Sequence, residues 1–181
     1  KKCVYEVILD LCQNASMDNE DPTTGRPLPG NTGPLKDWAP KWLHDSVRPQ
    51  IVKTLNAIHD RAKNAKIILM GYPQLLSGGG QCIPGIGTEE APWLNSLADM
   101  LNEEINRATL DSTTETGAYA LFADPRTEFD GKAVCGDPET VNGIVLSGHA
   151  KADNSPVGMA SFHPKISGAR LYANVLERRL Q

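Results

Sequence analysis

Two short apolar runs, set between longer stretches of helical apolar spacing, constrain this chain more than any other feature. Lys66-Ile67-Ile68-Leu69-Met70 is closed by Gly71-Tyr72-Pro73, and Tyr119-Ala120-Leu121-Phe122-Ala123 is ended by Asp124-Pro125. Apolar runs of this length without polar alternation, bounded by turn residues, are the pattern of strands buried on both faces, as in parallel sheets covered by helices. Before the first run, Leu43, Val47, Ile51, Leu55, Ile58 and Ala62 recur at three and four residues and predict an amphipathic helix over 42–63. Between the runs, Leu94, Leu97, Ala98, Leu101 and Ile105 predict a helix over 91–109, starting near Pro92. A final helix is expected over 164–180, burying Ile166, Ala169, Ala173 and Leu176, and a first one over 4–11 from Val4, Val7, Ile8 and Leu11. Helix followed by buried strand is the rhythm of an α/β sheet, and 181 residues make one domain with a sizeable core.

Charge and hydropathy narrow the function classes. No apolar run approaches the roughly 20 residues needed to cross a bilayer, so no transmembrane helix is expected. A net charge of −4 without a dense basic block leaves no electrostatic footprint for nucleic acid. The adjacent Arg178 and Arg179 fall in the last turn of the final predicted helix, where cations complement its dipole. Residues 13–40 hold five prolines and three glycines and are expected to form a surface loop. Its acidic run Asp18-Asn19-Glu20-Asp21 lacks the ligand spacing of a calcium loop, so it is read as solvated. Asn14-Ala15-Ser16 is a formal glycosylation sequon, meaningful only in a eukaryotic secretory pathway.

The spacing of Cys3, Cys12, Cys82 and Cys135, with no Cys-x-x-Cys and no nearby histidine, argues against a metal site. Free thiols and two disulfides remain. Disulfides fit better, Cys3 with Cys12 and Cys82 with Cys135 being the least entangled of three connectivities, and they imply an exported protein. The glycine-rich segment from Leu75 to Pro92 lacks the features of a phosphate-cradling loop and reads as a cleft-lining loop pinned through Cys82. No cofactor site is expected.

Ser161-Phe162-His163-Pro164 places an imidazole just ahead of the last helix. Pro164 suits a first helical turn, where its missing N–H costs nothing, so His163 is expected on a loop held by a rigid element. It is the leading catalytic candidate. His44, His59 and His149 are expected at the surface or at its boundary.

In this order, Gly71-Tyr72-Pro73 ending a strand, the cysteine-bearing loop after it, a second strand ending at Asp124, and Ser161-Phe162-His163-Pro164 before a last helix resemble the C-terminal half of the SGNH, or GDSL, hydrolases. The likeness is greatest to secreted actinobacterial lipases and esterases. It implies a three-layer α/β/α, flavodoxin-like fold with a parallel sheet, here lacking its N-terminal strands, with 13–40 as a loop insertion. It also implies hydrolysis of an ester or lipid by acyl transfer, with His163 as general base, and agrees with two disulfide bridges in this cysteine order. Tyr72 and Phe162 become candidate substrate contacts, and core packing is the alternative for each.

Two departures from the family pattern shape the expectation. The family's acid stands three residues before the histidine, where this chain has Ala160, so the resemblance assigns the imidazole's orientation to the Ala160 carbonyl; Asp124 and Asp153 are the acidic alternatives. A neutral acceptor can hold the productive tautomer, though it stabilises the imidazolium less. No Gly-Asp-Ser nucleophile is present: Ser77 and Ser147 lack the frame, and Gly136-Asp137 runs into Pro138. The chain opens at Lys1 where the family's oxyanion-hole asparagine block would have ended. The nucleophile and oxyanion donors are therefore expected on an upstream segment or a separate chain, and this chain alone should be inert. The competing expectations are a non-catalytic binding or structural domain that keeps the fold, and an unrelated α/β domain in which His163 caps a helix.

Overall fold

In the computed structural model, residues 12–14, 33–80, 82–83, 86, 88–146 and 158–181 are described. The elements that position the site are α1 (Leu35–Trp42), a π turn (Leu43–Val47), α2 (Arg48–Arg61), β1 (Lys66–Met70), α3 (Glu90–Thr116), β2 (Tyr119–Ala123), the short α4 (Arg126–Phe129) and α5 (Ile166–Leu180). The two strands pair in parallel from Lys66 opposite Tyr119 to Met70 opposite Ala123. Both fall on the runs expected to form them, and the α/β class with a parallel sheet holds. Antiparallel strands could be joined by a tight turn, but parallel ones need a crossover, and α3 supplies it, packing on both α2 and β2.

An α-helix begins at Leu35, inside the stretch expected to be loop, and the predicted 42–63 helix is the later part of a helical run from Leu35 to Arg61. Pro34 stands as its N-cap, and Trp38 and Trp42 stack at 5.3 Å, giving this first turn an apolar anchor. The π turn ends just before Pro49. A proline within a helix cannot donate to the carbonyl four residues back and its ring crowds it, a sufficient cause for the widened turn. The buried stripe on α2 is Val52, Leu55 and His59, while Ile58 stays 42% exposed. His59, expected at the surface, is therefore buried, its spacing from Val52 and Leu55 carrying it onto the face that packs against α3.

α3 extends seven residues beyond the predicted end at Thr109. Thr113, Thr114 and Thr116 donate hydroxyl hydrogen bonds to carbonyls four residues back, and the helix ends before Gly117. The predicted loop 126–161 contains α4, whose Phe129 is buried beside Leu76, Ile83, Ile86, Ala91, Val134 and Val141.

α5 begins two residues later than predicted, and Pro164 pairs with Val141 in an antiparallel bridge instead of opening the helix. Its buried face also differs. Gly168 and Val175 are buried, with Leu171 and Tyr172 packed on the core, whereas Ile166 is 78% exposed and Leu176 39%. The cause lies at Gly168, where a Cβ would fall 2.4 Å from the Thr140 carbonyl oxygen. Only a residue without a side chain admits this approach, and it turns the helix's other apolar stripe outward.

Cys82 and Cys135 form the expected disulfide, with Cα atoms 5.6 Å apart. The other pairing, Cys3 with Cys12, the helix over 4–11, the acidic run and most of the sequon lie outside the described residues, as do Ser147, His149 and Asp153.

Candidate functional site

Beyond the C-terminal ends of the strands, two loops are held in different ways. The first leaves β1 at Gly71. A Cβ there would lie 2.5 Å from Asn102 Oδ1 and 2.7 Å from the Phe122 ring, so the Gly of Gly-Tyr-Pro is the residue this approach demands. Asn102, fully buried on α3, accepts from the Tyr72 N–H (2.8 Å) and donates to the Tyr72 carbonyl (2.7 Å). One helical turn and more towards the N-terminus, Asn95 does the same for Leu76, accepting at 3.0 Å and donating at 2.8 Å. Asp99 lies on the same face and accepts from Gln74 and from Arg126. The positions 95, 99 and 102 share one helix face, so the polar stripe of α3 serves as a rack for the loop.

The rest of this loop is tied to the segment after α4. Ser77 N–H donates to the Val134 carbonyl (2.7 Å), Val134 N–H to Leu75, and the disulfide closes the arrangement. A cleft of about 700 Å³ opens here, lined by Gln74, Ser77, Asn95, Asp99, Arg126 and Asp130 among others, but not by His163. Two of its charged groups, Asp99 and Arg126, are matched to each other. Arg126 donates to both oxygens of Asp124 and to Asp99. Burial alone would raise the Asp124 carboxyl, but the hydrogen bonds and charge of Arg126 outweigh it and hold it below the usual value. Asp124 is thus engaged by a guanidinium, an arrangement that leaves it little reason to turn to an imidazole.

The second loop carries His163. Residues 140–142 and 162–165 pair through their backbones: Asn142 N–H donates to the His163 carbonyl (2.9 Å), Phe162 N–H to the Asn142 carbonyl (3.0 Å), and Lys165 N–H to the Thr140 carbonyl (2.8 Å). Further along, Val145 N–H donates to Ser161 Oγ (2.9 Å) and Gly158 N–H to the Val145 carbonyl (2.6 Å). The His163 backbone is therefore fixed on both sides while its side chain is exposed, and the imidazole makes no hydrogen bond to a described residue.

Phe162 has φ of +60°, a conformation costly for a residue with a bulky side chain, and its ring packs half-buried against the core that holds Phe129 and Val134. Core packing is what the structure shows for Phe162. Tyr72 is 53% exposed at the end of β1. Burial, and then the charge of Tyr72, push the Tyr172 hydroxyl on α5 up to about 12. The Ala160 carbonyl accepts two hydrogen bonds, from the His163 backbone N–H and from Asn142 Nδ2, each at 3.2 Å.

A single carboxylate connects the two loops. Glu139 accepts from the Cys135 N–H (3.1 Å) with one oxygen and from Lys165 Nζ (2.5 Å) with the other. Sequence reasoning singled out none of Asn95, Asp99, Asn102, Glu139 or Asn142. The polar triplet at 95, 99 and 102 within an apolar helix was the one available signal. Among the described residues there is no cluster of three or more metal-ligating side chains, and no helix long and apolar enough to cross a membrane.

The architecture is thus a parallel α/β sheet with a histidine loop leading into the last helix. Two solved structures share the fold: phospholipase A1 from Streptomyces albidoflavus NA297 (TM-score 0.64, 22% identity, covering 78% of this chain and 54% of that one) and the extracellular lipase from Streptomyces rimosus (TM-score 0.60, 23% identity, 77% and 53%). In sequence, the chain is 34% identical over 117 residues to Lipase 1 of Streptomyces coelicolor, covering 62% of this chain and 36% of the relative. It is 25% identical over 127 residues to a lipase of Streptomyces rimosus, covering 70% and 41%. No protein-family profile matches the sequence. The chain shares the α/β fold of these Streptomyces enzymes and is similar in sequence to Streptomyces lipases, and it spans about two-fifths of the length of the curated relatives it matches.

Proposed function

We propose that this chain is the part of a serine ester hydrolase that supplies its general base, His163, and that the nucleophilic serine and oxyanion donors come from an upstream segment or a separate chain. The observation that carries the reading is the His163 loop itself, a backbone fixed on both sides that presents an exposed imidazole, in a chain similar to Streptomyces lipases. In the proposed reaction His163 takes the serine proton as the serine oxygen attacks the ester carbonyl, then gives it to the departing alcohol. Water, deprotonated by the same imidazole, releases the acid from the acyl-enzyme. No metal or cofactor enters these steps.

The place for the missing part is suggested by the sheet. Among the described residues β1 pairs on one side alone, with β2, and an apolar groove lined by Trp42, Ile51, Leu55, Ile67, Ile68 and Leu69 runs along it. A further strand there would bury this surface. Lipid or another ester is the substrate class that the relatives' names favour, Tyr72 at the exposed end of β1 is the aromatic placed to touch it, and export fits the disulfide. The test is His163→Ala in the complete protein, assayed on a short p-nitrophenyl ester. Loss of the base should lower the rate at least about a hundredfold, and a rate equal to the parent's would remove the assignment.

A further inference from the structure

We infer that Asn142 is the residue that positions His163, an inference that rests on the general-base reading above. The Ala160 carbonyl, assigned that role by family likeness, already accepts from the His163 backbone N–H and from the Asn142 side chain. A carbonyl oxygen has two lone pairs, so both are taken before any imidazole N–H arrives. Asn142, by contrast, engages three successive points of the turn. Its amide nitrogen holds Ala160, its backbone carbonyl holds the Phe162 N–H, and its own N–H holds the His163 carbonyl.

The turn needs such a clamp. Phe162 sits at φ of +60°, and a residue in this region relaxes unless its surroundings over-determine it. Relaxation at Phe162 would rotate the next residue, which is His163. The Phe162 ring fixes the turn from the core side and Asn142 fixes it from the open side. Neighbouring contacts do not duplicate the amide: Ser161 Oγ acts at Val145, and Lys165 acts at Thr140 and Glu139. Asn142 is a positioning residue that acts through the backbone; it takes and gives no proton.

The experiment compares Asn142→Ala, Asn142→Asp and His163→Ala in the complete protein, reading kcat, KM, the pH profile of kcat/KM and Tm on the same ester. Asn142→Ala keeps the backbone pairing and loses the amide, and should lower kcat about 10- to 100-fold with KM within about twofold of the parent, the scale expected of a small misplacement of a reacting group. Asn142→Asp keeps the shape and places a carboxylate beside the turn, which should move the acid limb of the profile to higher pH by favouring the imidazolium. An unchanged kcat in Asn142→Ala, a kcat loss that only follows a fallen Tm, or an unmoved acid limb in Asn142→Asp overturns the inference while leaving His163 as the base. Activity retained in His163→Ala overturns the general-base reading, and this inference with it.

Discussion

The two loops at the strand ends show two ways to fix a backbone that has no regular structure of its own. The loop after β1 is held by side chains reaching from a neighbouring helix, the fully buried Asn102 and the half-buried Asn95 each bonding an N–H and a carbonyl of one loop residue, and by a disulfide. The His163 loop is held mainly by backbone pairing with residues 140–142, which run from the buried Thr140 and Val141 out to the half-buried Asn142. In the first design single side chains carry the arrangement, and each matters. In the second the backbone pairing carries most of the hold, with the Asn142 amide as the one side-chain clamp on the turn, which leaves the exposed imidazole free for chemistry.

That contrast can be broken by measurement. Removing the Cys82–Cys135 bridge by a double serine substitution should cost most, about 4 kcal/mol for a sequence separation of 53 in the loop-entropy model, read as a lower denaturant midpoint. Asn102→Ala should follow at roughly 1–3 kcal/mol, since it removes two hydrogen bonds made by a fully buried side chain. Ser161→Ala, acting at the exposed edge of the histidine loop, should cost no more than about 1 kcal/mol by the same measurement. Were Ser161→Ala as damaging as Asn102→Ala, the two loops would not differ in kind.

The Glu139 connection gives the smallest effect, with a defined sign. The hydrogen bond from Lys165, then that from the Cys135 N–H, holds the Glu139 carboxyl below its ordinary value of 4.5. A carboxylate depressed in the folded state stabilises it above the ordinary value and loses that contribution as the pH falls through the folded one. Both side chains are about one-third exposed, so the ion pair is worth about 0.5 kcal/mol after solvent screening. Glu139→Gln should lower stability slightly at neutral pH and leave it equal to the parent in acid, seen as converging thermal midpoints.

Much of the framework was legible because burial on both faces writes itself into a run of apolar residues. The ranges Lys66–Met70 and Tyr119–Ala123 and their parallel pairing could be read this way, and the Cys82–Cys135 disulfide from cysteine spacing. What escaped was decided by contacts between distant segments. α5 has two apolar stripes, and periodicity cannot choose between them; the approach of Gly168 to Thr140 does. Leu35–Trp42 was hidden by its prolines, although Pro34 serves as a cap and the stacked tryptophans support the turn. His163 could be found because Pro164 and the helix follow it in sequence. Asn142 could not, because its importance comes from pairing with residues about twenty positions away.

The outward stripe of α5 has a consequence for handling the protein. Ile166, Leu176 and Leu180 leave 78%, 39% and 57% of their surface in water along one side of the helix. A row of this kind lowers solubility, because two such helices can shed water by lying together. In a sample holding this chain alone, light scattering should therefore rise with protein concentration. Replacing Ile166 and Leu180 with lysine should suppress that rise without moving the thermal midpoint, since neither side chain supports the core.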